Sequence, residues 1–153
     1  MKRRKLLITM LVFLFAFYSK PVFCTDQSFT VQLSLALGTT IQYHQGLIFP
    51  DTTITGSNIN LIVATTDAGA ASFDSSGRRN RNLTKSVVET TISLSAPGVA
   101  GTIQVNNFTV AGPTRSDNTG HAYGFRVGGT AHILSTSLEG DYEGTATFRV
   151  IYN

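Results

Sequence analysis

Three histidines (His44, His121, His132) and three aspartates (Asp67, Asp74, Asp117) are the side chains of this sequence best able to move a proton or hold a metal. Their spacing argues against both tasks. No H-x-x-x-H or paired Cys/His pattern occurs, so no compact zinc ligand set can form on one element. His121 falls in a Gly/Asn loop, and His44 and His132 fall within strand-like runs. Each aspartate lies in turn chemistry, where a carboxylate caps backbone amides. A calcium site would call for a ligand-rich repeat, which is missing. No G-x-S-x-G or phosphate-cradling loop occurs, and the glycine-rich stretch Gly124 to Gly129 interrupts strand-like residues and precedes no helix. Arg78-Arg79-Asn80-Arg81 lacks interleaved aromatics and sits among Ser, Gly and Asn, so it reads as a solvated loop tip. The expectation is a protein that is not an enzyme and uses no cofactor, metal, small-molecule substrate or nucleic acid.

The first residues set the compartment. Lys2, Arg3, Arg4 and Lys5 precede an apolar run from Leu6 to Tyr18, and the chain turns polar at Thr25-Asp26-Gln27-Ser28. A charged start, an apolar middle and a small-residue boundary make a secretory signal peptide over residues 1–24. The run of about 13 residues falls short of the roughly 20 that span a bilayer as a helix. The cut is placed after Cys24, with Val22 two residues before it; the other reading keeps Cys24 as a lipidated first residue, although bulky Phe23 is a poor neighbour for that processing. Removing residues 1–24 takes five basic residues away. Seven basic residues then face nine acidic ones, a formal net charge of −2, so the pI of 9.2 describes only the precursor. No cysteine is left, and a secreted domain of 129 residues must then hold together by core burial alone.

The remainder reads as strands. Apolar residues alternate with polar ones at Phe29-Val31-Leu33-Leu35-Leu37, Ile41-Tyr43, Leu47-Phe49, Ile59-Leu61-Val63 and Ala71-Phe73. Further runs are Val87 to Leu94, Ile103-Val105, Phe108-Val110, Tyr123-Phe125-Val127 and Ala131 to Leu134. At Asn106-Asn107 the alternation slips by one place, which is what a β-bulge does to the facing of a strand. Turns at Thr55-Gly56-Ser57, Ala96-Pro97-Gly98 and Gly112-Pro113 punctuate the runs. About eight or nine such strands predict an all-β fold, a single antiparallel β-sandwich of immunoglobulin-like type over residues 38–153.

The last run is the longest. Gly140, Tyr142, Gly144, Ala146, Phe148, Val150 and Tyr152 share one face of a predicted continuous strand, with Glu143, Thr145, Thr147, Arg149 and Ile151 on the other. Tyr152 is penultimate and Gly140 is fourteenth from the end. In this the chain resembles subunits of chaperone–usher fimbriae. The stretch Phe125-Arg126-Val127-Gly128-Gly129-Thr130-Ala131, followed by Gly140-Asp141-Tyr142-Glu143-Gly144, is also similar to an uncharacterised family of secreted bacterial proteins with pilin-like or spore-coat-like sandwiches. The resemblance departs at Pro50, where that family has Gly, and in the missing disulfide of many pilins.

What the resemblance implies is a structural subunit of a surface fimbria, supporting adhesion. It would pass through the periplasm with a chaperone, leave through an outer-membrane usher, and join copies of itself or related pilin subunits. Residues 25–37 would be the donor strand, placing Phe29, Val31, Leu33, Leu35 and Leu37 in a neighbour's groove. The sequence leaves the pairing of Phe29–Leu37, within the chain or between chains, open. Pairing within the chain would make a self-contained secreted or surface adhesin or coat module. One expectation is separate from this choice. Intact mass of the exported protein should correspond to a chain starting at Thr25, without acyl groups; a mass that retains residues 1–24 would contradict it.

Overall fold

The computed structural model describes residues 38–153. The expected signal peptide and the candidate donor strand with Phe29, Val31, Leu33, Leu35 and Leu37 lie outside the described residues. Eight strands follow in order: β1 (Thr40–Gln45), β2 (Ile59–Val63), β3 (Ala71–Ser76), β4 (Leu83–Val87), β5 (Thr91–Leu94), β6 (Ile103–Ala111), β7 (His121–Ile133) and β8 (Phe148–Tyr152). All pairings are antiparallel. The fold is an all-β, sandwich-like one, as the alternation predicts. Among the described residues no helix is present.

The larger sheet runs β1-β3-β7-β6-β5, and β2 shares with β3 the same edge of β7. β3 pairs with the first half of β7, Ala71 opposite Val127, and β2 with the second half, Val63 opposite Gly129. The smaller sheet is β4-β8. Its strands lie across the inner face of the larger one, for Phe148 stacks on Phe73 with ring centroids 4.6 Å apart and tilts against Phe125 at 5.5 Å. Two apolar clusters result. One joins Leu83, Ala122 and Phe125 to Phe73, Phe148, Val150 and Tyr152 between the sheets. The other gathers Ile103, Val105, Ala131 and Ile133, and is covered by Leu47, Phe49 and Ile54 of the β1–β2 connection and by Tyr142.

Three elements differ from the sequence reading. Leu47-Phe49 is not a strand: its alternating side chains cap the second cluster from a loop, held by Ile48 N donating to Gly69 O at 2.8 Å. Val87 to Leu94 is not one run, because the chain leaves the smaller sheet at Val87 and enters the larger at Thr91. Tyr123–Val127 and Ala131–Leu134 are one strand, β7, which continues through Gly128-Gly129. Those glycines are not a turn. A Cβ on Gly128 would stand 2.3 Å from the Val63 carbonyl oxygen, and one on Gly129 would stand 3.2 Å from both Leu47 and Phe108.

The predicted slip at Asn106-Asn107 is a bulge. Register passes from Asn106–Thr130 to Thr109–Gly128, so Asn107 and Phe108 oppose one residue, Gly129. Asn107 takes φ 50°, a left-handed conformation that asparagine tolerates and branched residues resist. Asn107→Val should therefore lower stability by about 1–2 kcal/mol, and Asn107→Gly should leave it within about 0.5 kcal/mol. Urea midpoints at constant m-value check both; equal midpoints for the two variants would contradict the bulge.

Candidate functional site

The polar residues with chemical potential are occupied with holding strands and turns. His44 Nε2 donates to Asp74 Oδ2 at 2.9 Å across β1 and β3, and Gly124 N donates to Asp74 Oδ1 at 2.7 Å. Desolvation pushes the Asp74 carboxyl up, but the Gly124 amide and His44 outweigh it and hold the group below its ordinary value. His132 bridges the amide side chains of Asn60 and Asn106, 2.7 and 2.8 Å away, across three strands. His121 stacks on Tyr123. Asp67 caps Ala64 N, and Asp117 accepts from Thr119 and from His121 N, bonds that hold its carboxyl below its ordinary value. Among the described residues no group of three or more His, Cys, Asp or Glu could hold a metal ion. A shallow hollow lined by Ile48, Pro50, Ile62 and Asp67 contains a single ionisable group, already bonded. No nucleophile, base and orienting group converge there.

The predicted C-terminal strand divides in two. Only Phe148–Tyr152 is a strand. Gly140 to Thr147 crosses the edge of β5 instead, anchored by two 2.9 Å bonds between the backbones of Ser95 and Glu143. The cause is close approach. A Cβ on Gly144 would stand 2.7 Å from Leu94 Cδ2, and one on Gly140 would stand 3.0 Å from Val99 Cγ2. Tyr142 turns inward to the β5–β6–β7 cluster and donates its hydroxyl to Leu138 O at 3.0 Å. Ala146 is exposed. Phe148, Val150 and Tyr152 come together in the other cluster, facing β3 and β7. The inward-facing residues therefore serve two different surfaces, Tyr142 one and Phe148, Val150 and Tyr152 the other.

β8 brings these three side chains to the margin of the sandwich. β4 lies on the β6 side, where Leu83 N donates to Thr114 O and Lys85 Nζ reaches the carbonyls of Gly112 and Pro113. β8 lies over β3: Phe148 covers Phe73, while the Tyr152 ring packs on Gly77 and its hydroxyl shares a 2.9 Å bond with Ser75. The next lane outward lies over β1. Ile41 and Tyr43 stand opposite Ser75 and Phe73 and so belong to the inner face. Yet Ile41 is 42% exposed and Tyr43 65%. Among the described residues nothing pairs with the second edge of β8. The result is a lane floored by Ile41 and Tyr43 and walled by β8, with the Phe73–Phe148 stack at its side. Sequence reasoning placed Ile41 and Tyr43 on a strand but did not see them as a receiving surface. The signal was there in two apolar residues of an alternating strand that follows another alternating run of the sequence, Phe29 to Leu37.

These features define an antiparallel β-sandwich whose smaller sheet contributes two described strands. Residues 27–152 match a family described as a domain of unknown function (DUF4402), and the chain belongs to that family. The match takes in residues 27–37, so this segment is part of the shared domain together with the eight strands. No curated protein and no solved structure matches the chain.

The aromatic stack sets an expectation for the lane. Phe148→Ala should cost about 3 kcal/mol, the low end of the range for aromatic truncation because the ring is half-buried. Tyr152→Phe should cost about 1 kcal/mol through loss of the Ser75 bond. Chemical denaturation reads both, and an unchanged midpoint for Phe148→Ala would contradict the packing of β8 on β3.

Proposed function

We propose that the chain is a structural subunit of a surface fimbria, polymerising by insertion of residues Phe29–Leu37 of one copy into the lane beside β8 of the next. The observation that carries this reading is the uncovered inner face at Ile41 and Tyr43, next to an edge of β8 without a described partner. Such an edge offers ladder hydrogen bonds to an extended strand, and the apolar floor takes every second side chain. Phe29, Val31, Leu33, Leu35 and Leu37 span nine positions, roughly 30 Å of extended chain, which exceeds the length of β8. Burying five large apolar side chains contributes on the order of 8–15 kcal/mol gross, similar to the net stability of a whole domain. An exposed apolar edge is an aggregation hazard, so a periplasmic chaperone to cover the lane in transit, and a usher to release it, belong to the same reading. The protein acts by assembly and not by catalysis.

One observation favours a second reading. Gly38-Thr39 is the length of a two-residue hairpin link into Thr40, so Phe29–Leu37 of the same chain could pair with the outer edge of β1. That would make a self-contained surface module. Deleting residues 25–37 separates the readings. In the polymer reading the truncated subunit folds when a chaperone or a synthetic 25–37 peptide is supplied, does not polymerise, and gains thermal stability with peptide concentration. Leu33→Asp then blocks polymerisation, because a charge in a dry groove costs several kcal/mol. A monodisperse, heat-resistant wild-type monomer in size-exclusion chromatography would overturn the polymer.

A further inference from the structure

Resting on that reading, we infer that the arginine-bearing end of each subunit docks on the acidic end of the next copy. Seven Lys and Arg residues lie beyond residue 24, and four of them sit on two touching loops: Arg78, Arg79 and Arg81 after β3, and Arg115 after β6. The sequence alone suggests a solvated loop tip, but the loops are locked together. Buried Ser116 donates its hydroxyl to Arg78 O at 2.6 Å and accepts from Arg81 N at 2.9 Å, while its own amide donates to Arg81 O at 2.9 Å. Asn80 N donates to Asp117 O at 2.9 Å, and Arg115 Nε donates to Asn80 O at 3.3 Å. The four side chains are exposed on this platform. One carboxylate stands among them, Asp117, and its Oδ1 already accepts from Thr119 and His121. Among the described residues the one ion pair is His44–Asp74, so the arginines have no carboxylate partner among those residues.

The other end is the reverse. Glu139, Asp141 and Glu143 are exposed on the β7–β8 connection, which the Ser95–Glu143 backbone bonds fix to the β5–β6 turn. No Lys or Arg occurs between Arg126 and Arg149, or between Lys85 and Arg115, the stretches that build this end. β7 runs from the arginine end to the acidic end over 13 residues, about 40 Å at roughly 3.3 Å per residue. That is several times the screening length of about 8 Å in physiological salt, so the two ends act on neighbours and not on each other.

Chain direction brings the same two surfaces together. Thr40 opens β1 opposite Ser76, beside Gly77 and the arginine loop, so residues 27–37 join the described domain at the arginine end. β8 runs from Phe148 over Phe73 towards Tyr152 over Gly77, that is, towards the arginine end of its own subunit. A donor strand lying antiparallel to β8 finishes, at Leu37, on the side of the acceptor's acidic end. Only Gly38 and Thr39 then separate it from its own subunit's arginine end, a reach of about 7 Å. A parallel insertion would set two arginine ends against each other.

The test is polymerisation of the exported protein, followed by sedimentation and electron microscopy at about 0.01 M and 1 M salt. Wild-type assembly should slow at least ~10-fold at high salt, and the loop triple Arg78→Glu, Arg79→Glu, Arg81→Glu should slow it similarly at low salt. The triple Glu139→Lys, Asp141→Lys, Glu143→Lys should also be slow alone. Mixed together, the two triples should co-assemble at near the wild-type rate, which poor folding of either one could not produce. Unchanged rates for both triples and at both salts overturn the docking and leave strand exchange standing. A wild type that stays monomeric under every condition overturns both.

Discussion

The inner face of the larger sheet has to be kept from water, and the smaller sheet is too narrow to do it. Five strands side by side span about 19 Å at roughly 4.8 Å per spacing, whereas β4 and β8 side by side span a single spacing, about a quarter of that. The chain makes up the deficit unevenly. Over β6, β7 and β2 the cover comes from Leu47, Phe49, Ile54 and Tyr142, side chains of irregular segments. Over β3 and β7 it comes from Phe148, Val150 and Tyr152. Over β1 no cover is described, and Ile41 and Tyr43 stay in contact with solvent. A strand laid over β1 would also extend the smaller sheet beside β8.

The fold class was legible because period-two alternation survives in nearly every strand, and Ile103, Val105, Phe125, Val127, Ala131 and Ile133 all face inward as it implies. The bulge at Asn107 was legible for the same reason: a slip in alternation is visible in sequence. Three features were not. Gly128-Gly129 looks like a turn by composition, and only the crowding of Val63, Leu47 and Phe108 around it explains why a strand needs glycine there. Gly140 to Thr147 alternates like a strand, yet periodicity cannot tell one sheet face from successive contacts with β5 and then β3. Leu47-Phe49 alternates from a loop, because a cap over a cluster also buries every second residue.

The candidate site was legible on one side only. The sequence marks Phe29 to Leu37 and Tyr152 as strand-forming, but it cannot say that Tyr43 stands exposed opposite Phe73 while Phe148 covers that ring from above. That requires the pairing of β1 with β3 and the crossing of β8, both contacts between residues far apart in the chain. Charge was misleading in a similar way. The precursor's pI conceals an acidic remainder, and the remainder's net charge conceals two separated surfaces of opposite sign, four arginines at one end and three carboxylates at the other. Both are suited to ordering identical molecules end to end, which is the same work the open lane would do.

The central claim is that the strand filling the lane over β1 belongs to another molecule. The chain has no cysteine beyond Cys24, so introduced thiols can be read without ambiguity once that residue is removed. Leu33→Cys in one preparation and Tyr43→Cys in a second should, when mixed and oxidised, give disulfide-linked heterodimers on non-reducing gels. A double variant should then give interchain ladders. If the double variant gives no interchain species and the mixture stays monomeric, the strand does not enter the lane of another molecule and the polymer account is wrong.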